Sequence, residues 1–488
     1  MAHRPVFDYR PITFVIGILL SILAAAMVVP ALVDLAYGHA DWSVFLSSAA
    51  VTLFFGLSLV LGSRSSGFTI KLRQAFILTT AAWVILPAFG ALPFVFSELQ
   101  MSYTDAFFEA MSGITTTGST VIVGLDTAPP GLLLWRALLQ WLGGIGIIVM
   151  ALSVLPLMRV GGMQLFRMES SDTSEKVLPR AAQIASSIGV IYVALTLICA
   201  GCYALSGMPL FDAVAHAMTT IATGGFSTSD LSVGGFASAG SDYVATVFMI
   251  LGGLPFVLYL RAVRGNIMPL LRDSQVQWFL SILAGFIVVL TIYLWINQDA
   301  LDLLLAFRLA SFNTVSVMTG TGYATSDYWL WGTFPSACLF FLMFFGGCAG
   351  STTCGVKIFR IQVLYATMRS QLRKLTHPNG VFLIYYNKKQ VPESVSSSVM
   401  AFFFLYVICF AALTVGLALM GLDFVTSLSA AATSISNVGP GLGPIIGPAG
   451  YFGPLPDAAM WLMSFGMLLG RLELFTVLIL FAPSFWRA

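Results

Sequence analysis

Four short glycine-bearing stretches decide the fold of this chain, and the first of them, at residues 114–120, reads ITTTGST. The other three read IATGGFS at 221–227, MTGTGYA at 318–324 and ISNVGPG at 435–441. Each stretch places a glycine among small or hydroxyl-bearing residues, between two long apolar runs. One local pattern at four places indicates an internal repeat, which has to be recognised before a fold is assigned.

The composition indicates a membrane protein. Of the 488 residues, 58% are hydrophobic and 9% are charged, whereas soluble domains carry about 25% charged residues. The mean hydropathy is +0.91. Because a spanning helix needs ~20 mostly apolar residues, the apolar runs predict about ten transmembrane helices. The small net charge of +2 gives no indication of a nucleic-acid partner.

The repeat divides the chain into five parts. Each repeat holds a long apolar run, a short helix, a glycine loop and a second long apolar run. The short helices, at ~10–13 residues, cannot cross a bilayer and are predicted to enter it and return. The predicted domains are an N-terminal pair of transmembrane helices at 1–70 and pore repeats at 71–180, 181–272, 273–390 and 391–488. The predicted fold class is therefore an all-α polytopic membrane protein with four pseudo-symmetric repeats around one central pore.

Both ends of the chain are predicted to lie in the cytoplasm. The apolar run at 12–33 is longer than the core of a typical signal peptide, so we interpret it as a retained first span. Lysine and arginine concentrate in alternate loops, and the positive-inside rule places those loops and both termini on the cytoplasmic side. Arg136, Arg308 and Arg471 depart from that pattern. We expect Arg136 and Arg308 to anchor helices near the outer face.

The glycine loops carry the chemistry of a cation site. A dehydrated cation has to be met by oxygen atoms, and rings of backbone carbonyls can replace its hydration shell. Glycine permits the backbone bend that such rings need, and the C-terminal ends of the short helices add partial negative charge. The threonines add hydroxyl groups or pack the loops. The predicted ion-binding residues are Thr116, Thr117, Gly118, Thr223, Gly224, Gly225, Thr321, Gly322, Asn437, Val438 and Gly439.

Two further stretches, WLGG at 141–144 and GGCAGST at 346–352, complete the pattern. With the loops, they resemble the TrkH-type subunit of bacterial potassium uptake systems, within the Trk/Ktr/HKT superfamily, over essentially the whole chain. The resemblance implies uptake of potassium and rubidium across the bacterial inner membrane through a gated, channel-like pore, with potassium at the filter carbonyls. The fourth loop departs most, because it lacks a threonine beside its glycine. The resemblance implies one filter glycine in each repeat, namely Gly118, Gly225, Gly322 and Gly439.

A gate is predicted in the third repeat and in the last apolar run. Residues 329–375 are too long for one straight span, since as a helix they reach ~70 Å against a hydrocarbon core of ~30 Å. Their middle consists of small residues with poor helix propensity, which predicts a break near the pore axis. Arg471 lies deep in the last run, where a charge normally faces a cavity, and Glu473 lies on a different helix face. The predicted gate residues are Gly346, Gly347, Gly350, Ser351, Thr352, Gly355 and Arg471.

An amphipathic helix is predicted directly after this break. Apolar residues recur at helical spacing between positions 361 and 375, with Arg360, Arg369, Arg373 and Lys374 among them. Such a helix lies on lipid or docks a cytoplasmic partner. The family resemblance favours a partner, a nucleotide-binding regulatory subunit of the TrkA type. It also implies a homodimer in contact with membrane lipid.

Two other classes of function are open at this point. A secondary transporter that couples potassium to protons or sodium usually needs an acid near the membrane midplane. The apolar runs hold almost none besides Glu473, which favours uncoupled flow. A membrane-embedded enzyme is disfavoured, because no cluster of histidine, cysteine and acid converges in the sequence. We therefore expect potassium as the substrate and no cofactor in this chain.

Overall fold

The computed structural model describes residues 8–64, 71–153, 162, 177–236, 238–298, 301–387 and 389–487. These ranges are mostly helical, and their strands are confined to a small hairpin that pairs Tyr385–Tyr386 with Lys389–Gln390. The all-α prediction is therefore confirmed. Most of residues 154–176, the end of the first predicted repeat, lies outside the described residues.

The first two helices form a closely packed pair ahead of the repeats. Arg10–Tyr37 and Trp42–Gly62 approach each other at Gly17 and Gly56. A Cβ added at Gly56 would lie 3.0 Å from the carbonyl oxygen of Gly17. Small residues permit this close approach of helix backbones within a membrane. The first helix also packs against Leu72–Gly90, so the pair braces the first repeat.

Each repeat contains an outer helix, a short pore helix and an inner helix, which we number by repeat. The outer helices are Leu72–Gly90, Val177–Leu205, Ser274–Asn297 and Glu393–Leu419. The pore helices are Tyr103–Ile114, Leu210–Ile221, Leu303–Thr319 and Phe424–Ser436. The inner helices are Pro130–Ser153 in repeat 1, Ala239–Gly252 and Phe256–Val263 in repeat 2, Thr333–Leu342 and Ile358–Thr376 in repeat 3, and Asp457–Arg471 and Phe475–Leu478 in repeat 4.

Several short elements connect or end these helices. The short α-helices are Leu92–Phe96, Met268–Arg272 and Pro483–Arg487. The short 3-10 helices are Leu125–Thr127, Ser232–Gly235, Tyr328–Trp331 and Ile479–Phe481. Most of them lie where the chain turns between longer helices, and some bury large side chains in the core, among them Phe94 and Tyr328.

The pore helices are too short to span a membrane, with 12, 12, 17 and 13 residues. Ser102, Asp302 and Asp423 accept backbone N–H bonds at the starts of pore helices 1, 3 and 4. Asp105 and Asp212 lie in the first turns of pore helices 1 and 2. Negative charge at a helix N-terminus is favourable in either position. Each pore helix therefore begins on acidic or hydroxyl side chains and ends at a glycine loop.

The repeats pack around a circle. Inner helix 1 packs on pore helix 2, inner helix 2 on pore helix 3, and inner helix 4 on pore helix 1. At the remaining junction, between inner helix 3 and pore helix 4, lies a cavity of about 530 Å³, lined by residues that include Phe340, Val425 and Leu428. The buried core consists chiefly of two large clusters, in which side chains of the N-terminal pair and the outer helices pack with those of the pore and inner helices.

The inner helices differ in continuity. Among the described residues, seven helices are long and apolar enough to cross a membrane, and two bent pairs bring the number to nine. Those pairs are inner helix 2, which turns by 97°, and inner helix 4, which turns by 109°. The tenth predicted span is inner helix 3, whose two helices are separated by the non-helical residues 343–357. Three of the four inner helices are thus interrupted, whereas inner helix 1 continues.

Candidate functional site

The four glycine loops share one backbone shape. Each contains two positive φ angles, one where the pore helix ends and one at the loop glycine. At the helix ends φ is 51° for Thr116, 50° for Thr223, 70° for Gly320 and 53° for Asn437. At the glycines φ is 89° for Gly118, 81° for Gly225, 80° for Gly322 and 111° for Gly439. A non-glycine residue in this region costs about 1–3 kcal/mol, so the surrounding contacts have to enforce it.

One backbone hydrogen bond recurs in all four loops. The residue before each glycine donates its N–H to a carbonyl of its own pore helix. The bonds run from Thr117 to Ser112 (2.8 Å), from Gly224 to Thr219 (2.9 Å), from Thr321 to Ser316 (2.9 Å) and from Val438 to Thr433 (3.1 Å). The fourth loop therefore keeps the common shape, although its sequence departs most. The missing threonine does not break the symmetry, because backbone groups make this bond.

The loops meet in a closed ring of backbone atoms. A Cβ added at any of the four loop glycines would come too close to the carbonyl oxygen of the residue before the glycine in the next repeat. These pairs are Gly118 with Gly224, Gly225 with Thr321, Gly322 with Val438, and Gly439 with Thr117. The order is 1, 2, 3, 4 and back to 1, so the ring closes. We call the oxygens of Thr117, Gly224, Thr321 and Val438 the carbonyl ring.

The space inside the carbonyl ring explains why glycine is needed there. A Cβ at Gly118 would also lie 3.5 Å from the oxygen of Thr321, which belongs to the repeat diagonally opposite. A side chain at Gly118 would therefore enter the middle of the ring. The fit is loosest in the fourth repeat, where a Cβ at Gly439 would lie 2.9 Å from the oxygen of Thr117. Four converging carbonyl oxygens can take the place of a cation's hydration shell.

The predicted threonines brace the loops through their hydroxyl groups. Thr117 Oγ1 lies 2.8 Å from Thr115 Oγ1 and accepts from Asn437 Nδ2 at 2.9 Å, which joins loop 1 to loop 4. Thr321 Oγ1 lies 2.7 Å from Thr319 Oγ1. These hydroxyls are thus committed to neighbouring protein groups, and the ring itself consists of backbone oxygens.

The non-helical residues of inner helix 3, which we call the crossing segment (343–357), contact the loops directly. Thr352 Oγ1 lies 3.0 Å from the carbonyl oxygens of Ile221 and Gly252, and Thr223 Oγ1 donates to it at 3.1 Å. Cys354 Sγ lies 3.6 Å from Thr116 Oγ1. The predicted gate residues Gly346, Gly347, Gly350, Ser351 and Thr352 are buried, and Gly355 is half-buried. The predicted break is therefore present and lies against loops 1 and 2.

The crossing segment also fills the break in inner helix 2. Cys348 donates its backbone N–H to the carbonyl of Gly253, and Phe256 donates its own to the carbonyl of Gly350, both at 3.0 Å. Ala349 donates its N–H to Gln275 Oε1 on outer helix 3 at 2.9 Å. Irregular backbone at membrane depth needs such internal partners. The two interruptions therefore satisfy each other's backbone groups.

Arg471 ends the first part of inner helix 4 and reaches the crossing segment. Its guanidinium donates to the carbonyl oxygens of Thr352 at 3.2 Å and Gly143 at 3.3 Å, and to Cys354 Sγ. Its side chain forms no ion pair in the described part of the chain. A cavity of about 20 Å³, room for about one water, lies between Arg471, Lys357 and Glu473. A buried positive charge therefore stands beside the crossing segment.

Glu473 pairs with Arg360, which corrects one expectation. Arg360 was expected among the basic residues available to a partner, but it is fully buried and forms an ion pair with Glu473. It also stacks on the ring of Phe402, 3.9 Å from its centroid. The other three basic residues, Arg369, Arg373 and Lys374, are exposed. Helical spacing alone could not distinguish the buried arginine from the exposed basic residues. Arg360 lies in the first turn, where other parts of the protein still bury the helix.

The two remaining off-pattern arginines also have acidic partners. Arg136 is buried on inner helix 1 and bonds to Glu109 of pore helix 1 through its Nε at 2.8 Å. Arg308 Nε lies 3.4 Å from Asp242 Oδ2. Sequence reasoning missed Glu109, because an acid inside an apolar pore helix has no distinguishing neighbour in sequence. Arg136 thus joins inner helix 1 to pore helix 1, and it also reaches the second loop through the carbonyl of Ser227.

Comparison with known proteins identifies the family. A family model described as TrkH, cation transport protein, matches residues 42–488. The chain belongs to the TrkH family. The Trk system potassium uptake protein TrkI of Halomonas elongata is 47% identical over 481 residues, which cover 98% of this chain and 97% of that protein. The Trk system potassium uptake protein TrkH of Escherichia coli K12 is 37% identical over 483 residues, which cover 98% of this chain and 99% of that protein.

A solved structure agrees with the fold. The crystal structure of the potassium transporter TrkH from Vibrio parahaemolyticus matches with a TM-score of 0.92 at 36% identity, over 99% of this chain and 100% of that one. Membership of the TrkH family confirms the predicted family and fold class. Because the family consists of cation transport proteins, transport and not catalysis is the function of this chain. It is a multi-span membrane protein of that family.

Proposed function

We propose that this chain takes up potassium, and with it rubidium, across a bacterial inner membrane through a pore that the carbonyl ring makes selective. The curated relatives are named Trk system potassium uptake proteins, and the solved relative is named a potassium transporter. In this proposal the ion passes the ring formed by the four loops. The observation that supports this proposal most directly is that each loop glycine lies against a carbonyl oxygen of the next repeat, so that the four loops form a closed ring.

The crossing segment and Arg471 form the gate in this proposal. The segment is buried and bonded to loops 1 and 2, so it obstructs the way from the ring to the inner side. Arg471 adds positive charge at the same place. At an effective dielectric of ~20, two like charges ~5 Å apart repel by roughly 3 kcal/mol. Each of them therefore opposes passage of the ion separately, and full opening requires that both move away.

Uncoupled flow of potassium is a better candidate for the transport mode than coupling to protons or sodium. A coupled carrier needs a carboxylate that can bind and release the coupling ion, a proton or sodium. Both buried glutamates among the described residues are held in ion pairs, Glu109 by Arg136 and Glu473 by Arg360. Neither is available as a coupling site without breaking a buried pair.

The proposed partners follow from the relatives and from inner helix 3. The names of the relatives place them in a multi-component Trk system, and a nucleotide-binding subunit of TrkA type on the cytoplasmic side is the partner we propose. The second part of inner helix 3 presents Met368, Leu372 and Leu375 beside Arg369 and Arg373, and all five side chains are exposed. We further propose a homodimer in contact with lipid, with both termini in the cytoplasm.

The test of the filter uses glycine substitutions. Gly118→Ser and Gly225→Ser place a side chain within the ring, so the preference for potassium over sodium should fall about tenfold or more, equivalent to ~1.4 kcal/mol. The measurement is rubidium uptake into liposomes in competition with potassium or sodium. Gly124→Ser is the matched control, because Gly124 also has a positive φ but lies outside the ring, where a Cβ would meet only Thr127 Oγ1, at 3.8 Å. Unchanged potassium-to-sodium ratios in both ring variants would overturn the proposed filter.

A further inference from the structure

Inner helix 1 packs between the first two loops of the carbonyl ring, against the ends of pore helices 1 and 2. A Cβ at Gly143 would overlap the carbonyl of Ile114 at the end of pore helix 1. A Cβ at the neighbouring Gly144 would lie 3.0 Å from Cα of Ala222 at the end of pore helix 2. Consecutive glycines therefore let one helix touch the ends of both pore helices. The side chains one and two turns earlier on this helix reach the same loops.

Gln140 holds the second loop with both atoms of its amide. Its Nε2 donates to the carbonyl of Gly224 at 2.6 Å, and its Oε1 accepts the backbone N–H of Phe226 at 3.0 Å. The orientation of the amide follows from these partners, because a carbonyl only accepts and an N–H only donates. Gly224 supplies one of the four oxygens of the carbonyl ring. In the described part of the chain, the other three ring oxygens accept no side-chain hydrogen bond.

Arg136 lies one turn before Gln140 and connects the same loop to the first repeat. Its Nη1 donates to the carbonyl of Ser227 at 2.7 Å, and its Nε donates to Glu109 at 2.8 Å. Glu109 in turn accepts the hydroxyl of Thr120 and the backbone N–H of Val121, both at 2.9 Å. Arg136 and Glu109 are both almost completely buried. The network therefore ties the far side of loop 1 to the far side of loop 2.

The other repeats have an apolar residue in place of this amide. Gly143, Gly252 and Gly470 are structurally equivalent, since each faces the isoleucine carbonyl at the end of its own pore helix. Three positions before these glycines stand Gln140, Met249 and Met467, and Met343 stands at the corresponding position before Gly346. Repeat 1 alone thus carries a hydrogen-bonding side chain where the other three carry methionine.

We propose that Gln140, supported by Arg136 and Glu109, is a positioning residue that sets the preference for potassium over sodium by holding the Gly224 carbonyl in the ring. This rests on the proposed function of the ring as the filter. A smaller cation is bound well only if the oxygens move inwards or if their field changes. A carbonyl tied to Gln140 resists that movement, and it keeps its second lone pair for the ion. Loss of the bond lets the ring adapt to sodium.

The decisive variant is Gln140→Met, which gives repeat 1 the residue of the other repeats. The full-length chain in liposomes should keep its rubidium flux, while its potassium-to-sodium ratio falls about threefold to tenfold, the worth of one hydrogen bond. Met249→Leu is the matched control at the same position of repeat 2 and should leave the ratio unchanged. Arg136→Lys keeps the charge beside Glu109 but loses the fork that reaches Ser227, so it should lower the ratio less.

The unfolding temperature in detergent shows whether each variant is folded. Measured in potassium chloride and in sodium chloride, it also shows how much each ion stabilises the protein. In Gln140→Met the extra stabilisation by potassium over sodium should shrink, which a purely structural role would not cause. The inference is overturned if the ratio stays at the wild-type value, if only flux and unfolding temperature fall together, or if Met249→Leu shifts the ratio equally. Gly118→Ser distinguishes failure of the proposed filter from failure of the role proposed for Gln140. If it lowers the ratio and Gln140→Met does not, the filter stands and only this inference fails.

Discussion

The carbonyl ring and the crossing segment are built in opposite ways, although they touch. The ring repeats one backbone shape four times, with the same two positive φ angles and the same hydrogen bond in every loop. The crossing segment occurs once, in repeat 3, and side chains from several repeats hold it, among them Thr223 and Arg471. A symmetric element is thus set beside an asymmetric one.

The difference separates the two tasks of a gated pore. Cation coordination needs equivalent oxygens around one axis, which four similar loops supply through their backbones. Obstruction needs one segment that can move without disturbing those oxygens. Hydrogen bonds of moderate strength hold the segment through Thr352, Cys354 and its own backbone. Such bonds can break when the segment moves. Changes in the crossing segment should therefore alter flux or stability and leave ion preference unchanged.

The largest expected effect is on stability, at the buried pair of Arg360 and Glu473. Arg360→Ala leaves a buried carboxylate without its partner and should reduce the free energy of unfolding by about 3–5 kcal/mol. Denaturant unfolding in detergent measures it. Arg369→Ala is the control on the same helix, since that side chain is exposed and should change the value by less than about 0.5 kcal/mol. Equal effects of the two variants would contradict the buried position of Arg360.

A second expected effect is on basal flux. Arg471→Ala removes the positive charge beside the crossing segment and should raise rubidium uptake without a partner on the order of a hundredfold, from the ~3 kcal/mol of repulsion. Deletion of residues 349–353 should act in the same direction by removing the obstruction. The potassium-to-sodium ratio should not change, because the carbonyl ring is untouched. Arg308→Ala removes a charge from pore helix 3 and serves as the control.

The outcome for the gate is clear in either direction. If both gate variants remain folded and conduct no faster than the wild type, neither element closes the pore. If they conduct faster but with a lower potassium-to-sodium ratio, the ring and the crossing segment are not independent of each other.

The smallest expected effect concerns the cytoplasmic partner. Arg369, Arg373 and Lys374 changed together to Gln should weaken binding of the nucleotide-binding subunit by about tenfold, since three exposed charges at ~0.3–0.5 kcal/mol each sum to roughly 0.9–1.5 kcal/mol. Binding should also become less sensitive to salt, because such charges are screened over ~8 Å. Arg64→Gln with Lys71→Gln is the control among exposed basic residues near the N-terminal pair. Full recovery of the partner in a pull-down would count against this surface.

Much of the fold could be predicted because its signals are local. The lengths of the apolar runs and the repeated glycines predicted the spans, the short pore helices and the break in inner helix 3, all of which depend on nearby residues. Glu109, the pairing of Arg360 with Glu473, and Gln140 were not predicted. Their partners lie far away in sequence, and an isolated polar residue in an apolar run does not show which distant group it meets.

The sequence by itself determined the fourfold plan of this protein, because a glycine among small residues specifies a backbone bend wherever it recurs. The tertiary structure alone decided which residues of different repeats meet. It closed the carbonyl ring through contacts between different repeats, set Gln140 against Gly224, and buried Arg360 on Glu473. These choices depend on which helices pack together, and packing joins residues that no local pattern connects.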